Sequence, residues 1–524
     1  MTVRATQTPE YWGEAFTLTA DDREFLLNLF VEDEQPRTTD ALARSLIQFR
    51  AQREEAAIRR KQQSQGTLYQ PKQVFQTGEQ VVFPALEFAV GQVVGIRDGQ
   101  NPEYDHFKVI EVEIDGARRE FAAEFPYDHR LNEDAAILSP AEEVVSPDDL
   151  YKRHSGRFVP HLRRLLQATP DFVWLAGQWF PRALIADVNV GQLNIAEAVL
   201  DMNGGGPLST AAILPEVGLP REINRSLQIF SLNHALYNDG RFDEVGPAGE
   251  VLWYLVRLEP ASVLIPPERL EYEPVDYARS ALNADLLKIE RTLDDEWSDV
   301  PAPDDAFEDD EEVTFTLTYP HRRAGTVPLS STTSRLFPDG RTHRIRFMFE
   351  DARSGQRWPG WVVRERRYAF GLDVWFAAND VPAGAYVQLS RGDEPGVVVV
   401  DLRGLRPRRE WVRVAVLRDN RLTFDMVKRQ IPCDYDDQLI VLADDTTGID
   451  KLTAQVAGRG TPLNELIEQL LPELARLSPQ GNVHVKTLYA ALNLVRRTPP
   501  GPLFAALAAQ TTFRALGDGY YLAR

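Results

Sequence analysis

A single cysteine, Cys433, stands in 524 residues, which excludes a disulfide framework and any thiolate-based zinc site. No stretch approaches the ~18 consecutive apolar residues of a membrane-spanning helix. The N-terminus also lacks the basic, apolar and small-residue succession of a signal peptide. The expectation is a soluble, cytoplasmic protein with no membrane partner. Signatures of catalysis are missing as well: no G-x-x-x-x-G-K-[ST], H-E-x-x-H, G-x-S-x-G or G-x-G-x-x-G occurs. Among eight histidines none has metal-ligand spacing, and His154 and His161 fall two helical turns apart, too far to share one ion. The densest acidic group, Asp434, Asp436 and Asp437, lacks the Asp…Glu-x-Lys pattern of a metal nuclease. No enzyme, cofactor or metal is therefore expected, and a metal-dependent nuclease ranks third among the readings.

The most informative absence is local. Between Val313 and Ala415 there is no lysine at all, but 17 arginines against ten acids, a net charge of +7 in a chain of −20. The planar, five-donor guanidinium suits phosphates and guanine edges, so this stretch points to an anionic polymer. Acid is concentrated too: residues 293–312 (LDDEWSDVPAPDDAFEDDEE) hold 11 acids and no base. Such a run is either solvated and disordered or an internal mimic of nucleic acid that shields the neighbouring basic surface.

The pattern along the chain predicts a multidomain α+β protein of helix-turn-helix and winged-helix domains with small β-barrels. Residues 1–66 read as helical, with Thr19 and Asp22 placed to cap a helix and a basic tail (Arg50, Arg53, Arg59, Arg60, Lys61) on the next. Residues 67–145 read as a small barrel with turns at Asp98-Gly99 and Asp115-Gly116. A connector (146–190), a three-helix unit with a β-hairpin (191–260), and a linker with the acidic run (261–312) follow. Then come the arginine-rich β segment (313–415), a second connector (416–460) and a C-terminal repeat of the three-helix plan (461–524).

Three helices plus a hairpin is the winged-helix plan. The strings Phe242-Asp-Glu-Val-Gly246 and Phe513-Arg-Ala-Leu-Gly517 occupy the same place in both units. Both resemble winged helices of the HARE-HTH type and of the delta subunit of bacterial RNA polymerase. In the first unit a third helix opening at Pro220 would expose Arg221, Asn224, Arg225 and Gln228 at i, i+3, i+4 and i+7, a face able to read base edges. In the second, the corresponding helix 502–510 has no charge. Lys486, Arg496 and Arg497 remain for phosphate contact there, and a protein-binding or structural role fits the helix better.

Residues 313–415 read as seven short strands: 313–318, 326–330, 344–350, 358–364, 367–371, 385–390 and 396–401. The order Arg344-Ile-Arg-Phe-Met-Phe-Glu-Asp351, Ser354-Gly355-Gln-Arg-Trp358, Tyr368, Trp375-Phe376 and Val381-Pro-Ala-Gly384 resembles the DNA-binding pseudobarrel of plant transcription factors. Departures are Val374 where that family has glycine before the tryptophan, and Ala385 where its turn has aspartate. The resemblance implies two groove-entering arms, one around Arg322, Arg323, Thr332, Thr333 and Arg335, the other around Arg364, Arg366 and Arg367. The expected function is non-catalytic binding of double-stranded DNA in transcription or its regulation. The alternative is a protein-interaction scaffold, such as a factor associated with RNA polymerase or another transcription protein. The choice between DNA and RNA, and the oligomeric state, stay open.

Overall fold

Thr19 and Asp22 fix where the first long helix begins. Thr19 N donates to Asp22 Oδ2 (2.8 Å) and Asp22 N donates to Thr19 Oγ1 (3.3 Å), a reciprocal cap for Ala20–Asp33. The computed structural model describes residues 4–63, 66–86, 89–104, 106–132, 145–301 and 312–523. Among the described residues the chain is mixed α+β, with fourteen α-helices and six sheets. It divides into two units: Met1–Asp187 with Arg221–Ser231, and Val188–Pro220 with Leu232–Arg524. No helix among the described residues is long and apolar enough to cross a membrane.

The first unit has a core of Trp12, Phe30, Leu46, Phe158, Trp179 and Phe180. The basic tail of its second helix, Thr39–Gln63, is partly engaged inside the unit: Arg50 Nε donates to buried Asp22 (2.6 Å) and Arg53 pairs with Asp21. Residues 146–190 are more than a connector, since they supply the 21-residue helix Pro147–Gln167 and the hairpin Phe172–Leu175/Gln178–Pro181. The buried stripe of that helix is Leu150, His154, Phe158, His161, Leu162 and Leu166. Two histidines within the stripe, with Gly156 and Pro160 beside it, disguised its period. His161 Nε2 lies 2.9 Å from Phe16 O, a core contact rather than a metal site. The expected small barrel appears as a five-stranded sheet, Thr67–Leu68, Gln80–Phe83, Ala89–Asp98, Lys108–Ile114 and Ala117–Ala123, paired in chain order. Asp115 (φ 50°) and Gly116 (φ 77°) form its last tight turn.

In the second unit, Val190–Met202, Leu208–Ser209 and Thr210–Val217 precede the strands Phe242–Glu244 and Leu252–Leu255. The intervening helix, Arg225–Asn238, contributes residues to both units. Near the C-terminus the same order recurs: Leu463–Ala475, Asn482–His484, Val485–Leu492, Pro500–Ala509, Phe513–Gly517, Tyr520–Ala523. Strand pairing matches as well, the last strand lying between the other two in both sheets. The charge-free helix Pro500–Ala509 is buried along most of its length, through Leu503, Phe504, Ala505 and Leu507. Its lack of charge therefore reflects core packing.

All seven strands expected between 313 and 402 form, and they join one sheet that curls into a half-barrel. They are β1 Val313–Thr316, β2 Thr326–Pro328, β3 Arg344–Asp351, β4 Arg357–Val363, β5 Tyr368–Phe370, β6 Tyr386–Arg391 and β7 Val397–Leu402. The spatial order is β1-β6-β7-β3-β4-β5-β2. Alternation in β3 sends Ile345, Phe347 and Phe349 inward. Trp375 and Phe376 sit on the short helix Asp373–Ala378, where Trp375 Nε1 donates to Asp351 Oδ2 (2.6 Å). Beyond it, β8 Arg408–Arg418 and β9 Arg421–Ile431 form a long hairpin, with β10 Val441–Ala443 parallel to β8. The expected boundary at 415 thus falls inside a strand, and 416–460 is structured rather than connecting chain.

The hairpin strand Phe242–Glu244 leads into a loop that meets the half-barrel through Arg346 N to Val245 O (3.0 Å) and Ala248 N to Asp339 O (2.7 Å). Behind this contact Arg344 pairs with Asp243 (2.7 Å) and Glu259 (2.9 Å). Burial, reinforced by Asp243, pushes the Glu259 carboxyl up to about 8 despite Arg344. Burial pushes Glu244 up to about 7. Raised folded-state values mean that the folded chain keeps protons the unfolded chain releases, so stability falls as pH rises from the ordinary carboxylate range to about 8 and then levels. Glu259→Gln is expected to flatten this slope, read as the melting temperature between pH 5 and 8. Phe349→Ala, which empties a fully buried site in the half-barrel, is expected to cost about 3–5 kcal/mol in denaturant unfolding.

Candidate nucleic-acid interface

Five consecutive hydroxyl residues, Ser330 to Ser334, follow β2, and an acidic residue occupies them. The helix Ala284–Leu293 ends with Asp294 in the left-handed region (φ 43°). From there its carboxylate accepts from Ser330 Oγ (2.5 Å), Ser331 Oγ (2.7 Å) and Thr332 Oγ1. A phosphate would be held by the same kind of donors.

The next two acids turn inward. Asp295 and Glu296 are buried and share one cation: Arg497 Nη2 donates to Asp295 Oδ2 and to Glu296 Oε1, each at 2.7 Å. Tyr489 Oη donates to Asp295 (2.6 Å), and His321 Nε2 lies 3.2 Å from Glu296 Oε2 with its Nδ1 2.8 Å from Thr326 Oγ1. Burial opposes ionisation of Glu296, but Arg497 and His321 outweigh it and hold this carboxyl well below its usual range. Burial wins at Asp295, whose value is raised, with the neighbouring Glu296 charge adding to the effect against Arg497. Arg497, expected at the surface, is therefore a core residue. Lys486 is also occupied, pairing with Asp436 at 2.9 Å, and Arg496 donates to Thr461 O (2.8 Å).

Residues 294–301 of the acidic run are thus ordered against the half-barrel. Residues 302–311, which hold most of its charge, lie outside the described residues, and the shielding expectation falls there in large part. The segment forms one wall of a groove of about 470 Å³ lined by Ser330, Ser331, Ser334, Arg364 and Arg367 together with Asp295, Glu296 and Ser298.

The arm residues divide. The turn Arg364–Arg366 between β4 and β5 exposes Arg364, Arg366 and Arg367 together. Arg364 pairs with Asp339 (2.7 Å), while Arg366 makes no ion pair among the described residues. Arg367 adopts φ 56°, and its side chain donates to Glu296 O (2.8 Å) and lies 4.8 Å over the Trp297 ring. Thr332 and Thr333 belong to the hydroxyl loop, but Thr333 is buried and donates to Pro328 O. Arg335 sits in the turn Thr333–Leu336, where its carbonyl accepts from Arg391 (3.1 Å). Arg322 and Arg323 do not line the groove. Arg322 donates to Val381 O and covers Phe376, and Arg323 pairs with Asp450 (3.0 Å).

The second expected reading face does not form as a helix surface. The helix begins at Arg225, because Asn224 Oδ1 accepts from Ser226 N (2.8 Å) as its cap. Arg221 precedes the helix, Arg225 is exposed and Gln228 is half-buried. Asn224 Nδ2 also donates to Asp33 O (3.1 Å), so this side chain is committed to contacts within the protein.

Asp294, Glu296, Trp297 and the serines were not singled out by the sequence, although five hydroxyls in succession were a visible signal. No group of three or more His, Cys, Asp or Glu side chains able to hold a metal ion is present among the described residues. The chain matches no protein-family model, no curated protein and no solved structure.

Arg497→Leu would leave Asp295 and Glu296 buried without their cation, and is expected to cost roughly 3–5 kcal/mol near neutral pH. Adding Asp295→Asn and Glu296→Gln is expected to restore part of that loss. Urea unfolding of the single and triple variants checks both statements, and a triple variant no more stable than the single one would refute the charge argument.

Proposed function

We propose that this chain is a non-catalytic, cytoplasmic nucleic-acid-binding protein that engages double-stranded DNA in transcription or its regulation. The carrying observation is the exposure of Arg364, Arg366 and Arg367 on one turn beside a groove lined by Ser330, Ser331 and Ser334 and also by Asp295, Glu296 and Asp339. On this reading the half-barrel is a DNA-binding pseudobarrel, and the two repeated helix–strand units are winged helices. The Arg364–Asp339 pair does not oppose the reading. Both side chains are substantially exposed, and exposed pairs are worth little enough for a phosphate to displace the carboxylate. The hydroxyls of Ser330, Ser331 and Thr332, which hold the Asp294 carboxylate, are donors of the kind that hold phosphate oxygens.

The second reading, a protein-interaction scaffold such as an RNA-polymerase-associated factor, is favoured by a different observation. Much of the arginine excess neutralises carboxylates of this same chain: Arg344 with Asp243, Arg353 with Asp401, and Arg357 with Glu350 and Glu394. Those guanidiniums stabilise the half-barrel instead of offering themselves to a ligand.

A salt titration of random duplex DNA binding to the intact chain separates the two readings. Arg364→Ala, Arg366→Ala and Arg367→Ala combined are expected to weaken binding and to reduce the slope of log K against log salt by about 0.9 per lost phosphate contact. No binding at low salt would leave the scaffold reading standing.

A further inference from the structure

The hairpin β8–β9 has one face that changes character halfway along. Cross-strand partners share a face, and on this one Ala415 sits opposite Phe424 and Leu417 opposite Leu422. These four pack into the core of the C-terminal helices. Toward the open end the same face carries Arg413 opposite Met426, Trp411 opposite Lys428, and Arg409 opposite Gln430. Trp411 is 63% exposed and Met426 40% exposed. Tryptophan joins a large apolar face to one polar edge, which suits it to a surface that a partner covers. No acid occurs on this face of either strand, since Glu410 and Asp425 point to the other.

Arg413 supplies a second observation. It is half-buried, donates Nη1 to the backbone oxygen of Asp437 (2.7 Å), and makes no carboxylate ion pair among the described residues. Burial pulls its pKa down against the opposing charges of Asp437 and Asp436. With Met426 it opens a cavity of about 580 Å³ whose other lining includes Gln438, Gln480, Asn482, His484 and Tyr520, with Asp518 as its one carboxylic acid. The cavity adjoins the Trp411–Lys428 pair, one same-face step along the strands.

We propose that this face is a binding site for single-stranded nucleic acid, with a base stacked on Trp411 and phosphates held by Arg409, Lys428 and Arg413. Same-face residues recur every ~6.8 Å along a strand, close to one nucleotide step of an unstacked chain. Stacking on a side chain requires a base face that a duplex keeps covered, so the site selects single strands. The amides and aromatic edge in the cavity are placed for a neighbouring base. The site is separate from the half-barrel groove and does not rest on it.

The test uses the intact chain with fluorescently labelled oligo(dT), oligo(U) and a duplex of equal length. Trp411→Ala is expected to weaken single-strand binding about tenfold or more, whereas Trp411→Phe keeps most of it. Arg409→Ala or Lys428→Ala should each lower the salt slope by about 0.7. Preference between the two oligonucleotides identifies the sugar recognised. Duplex binding should be unchanged by these variants and weakened instead in the Arg364/Arg366/Arg367 alanine variant, so each site can fail without the other. Unchanged oligonucleotide affinity in Trp411→Ala would overturn the proposal. So would equal losses for duplex and single strand, or tighter Trp411-dependent binding of an acidic peptide than of either oligonucleotide.

Discussion

One buried guanidinium holds the larger unit together. Arg497 comes from the C-terminal helical repeat, Asp295 and Glu296 from the segment entering the half-barrel, and His321 from the half-barrel itself. Removing these charges from water is expensive, and only their mutual contact offsets it. The arrangement therefore specifies a location more than it adds stability: in this placement a single guanidinium serves both acids. Once they are fixed, Asp294 must meet the hydroxyl loop and Trp297 must lie beneath Arg367. The groove inherits its shape from this anchoring.

The local rules were readable in the sequence. Alternation placed seven strands within a few residues of their final bounds, and the Thr19–Asp22 cap formed as its spacing required. The two Phe-x-x-x-Gly strings marked units with the same strand order. Each of these depends on neighbours a few residues apart, where a single sequence is informative. The helix Pro147–Gln167 escaped because buried histidines do not look apolar. The third helix of the first repeat starts later than its pattern implies, because Asn224 caps it instead of lying on its face.

Charge pairing was not readable, since it is decided by residues far apart. Seventeen arginines in a β segment advertise an anionic ligand, but nothing local says that Arg344 meets Asp243 or that Arg497 meets Asp295. Composition indicates the sign of a surface only after the internal pairs are removed. In the half-barrel those pairs remove Arg323, Arg344, Arg353 and Arg357, Arg322 is taken up by the Val381 carbonyl, and the turn at 364–367 stays exposed beside the groove. The candidate site was thus half legible: the second arm stands at the surface, while the first is largely absorbed into packing.

The separation between Arg497 and its carboxylates also sets a schedule. The ribosome makes Glu296 some 201 residues before Arg497, which at ~5–20 residues per second is a wait of roughly 10–40 s. During that interval the half-barrel strands can emerge and pair, and His321 becomes available to Glu296, but the guanidinium that both acids share is still missing. Until residue 497 has been made, Asp295 and Glu296 lack the cation they share in the finished fold. Vectorial synthesis thus delays closure of this part of the protein to the last stage of its production.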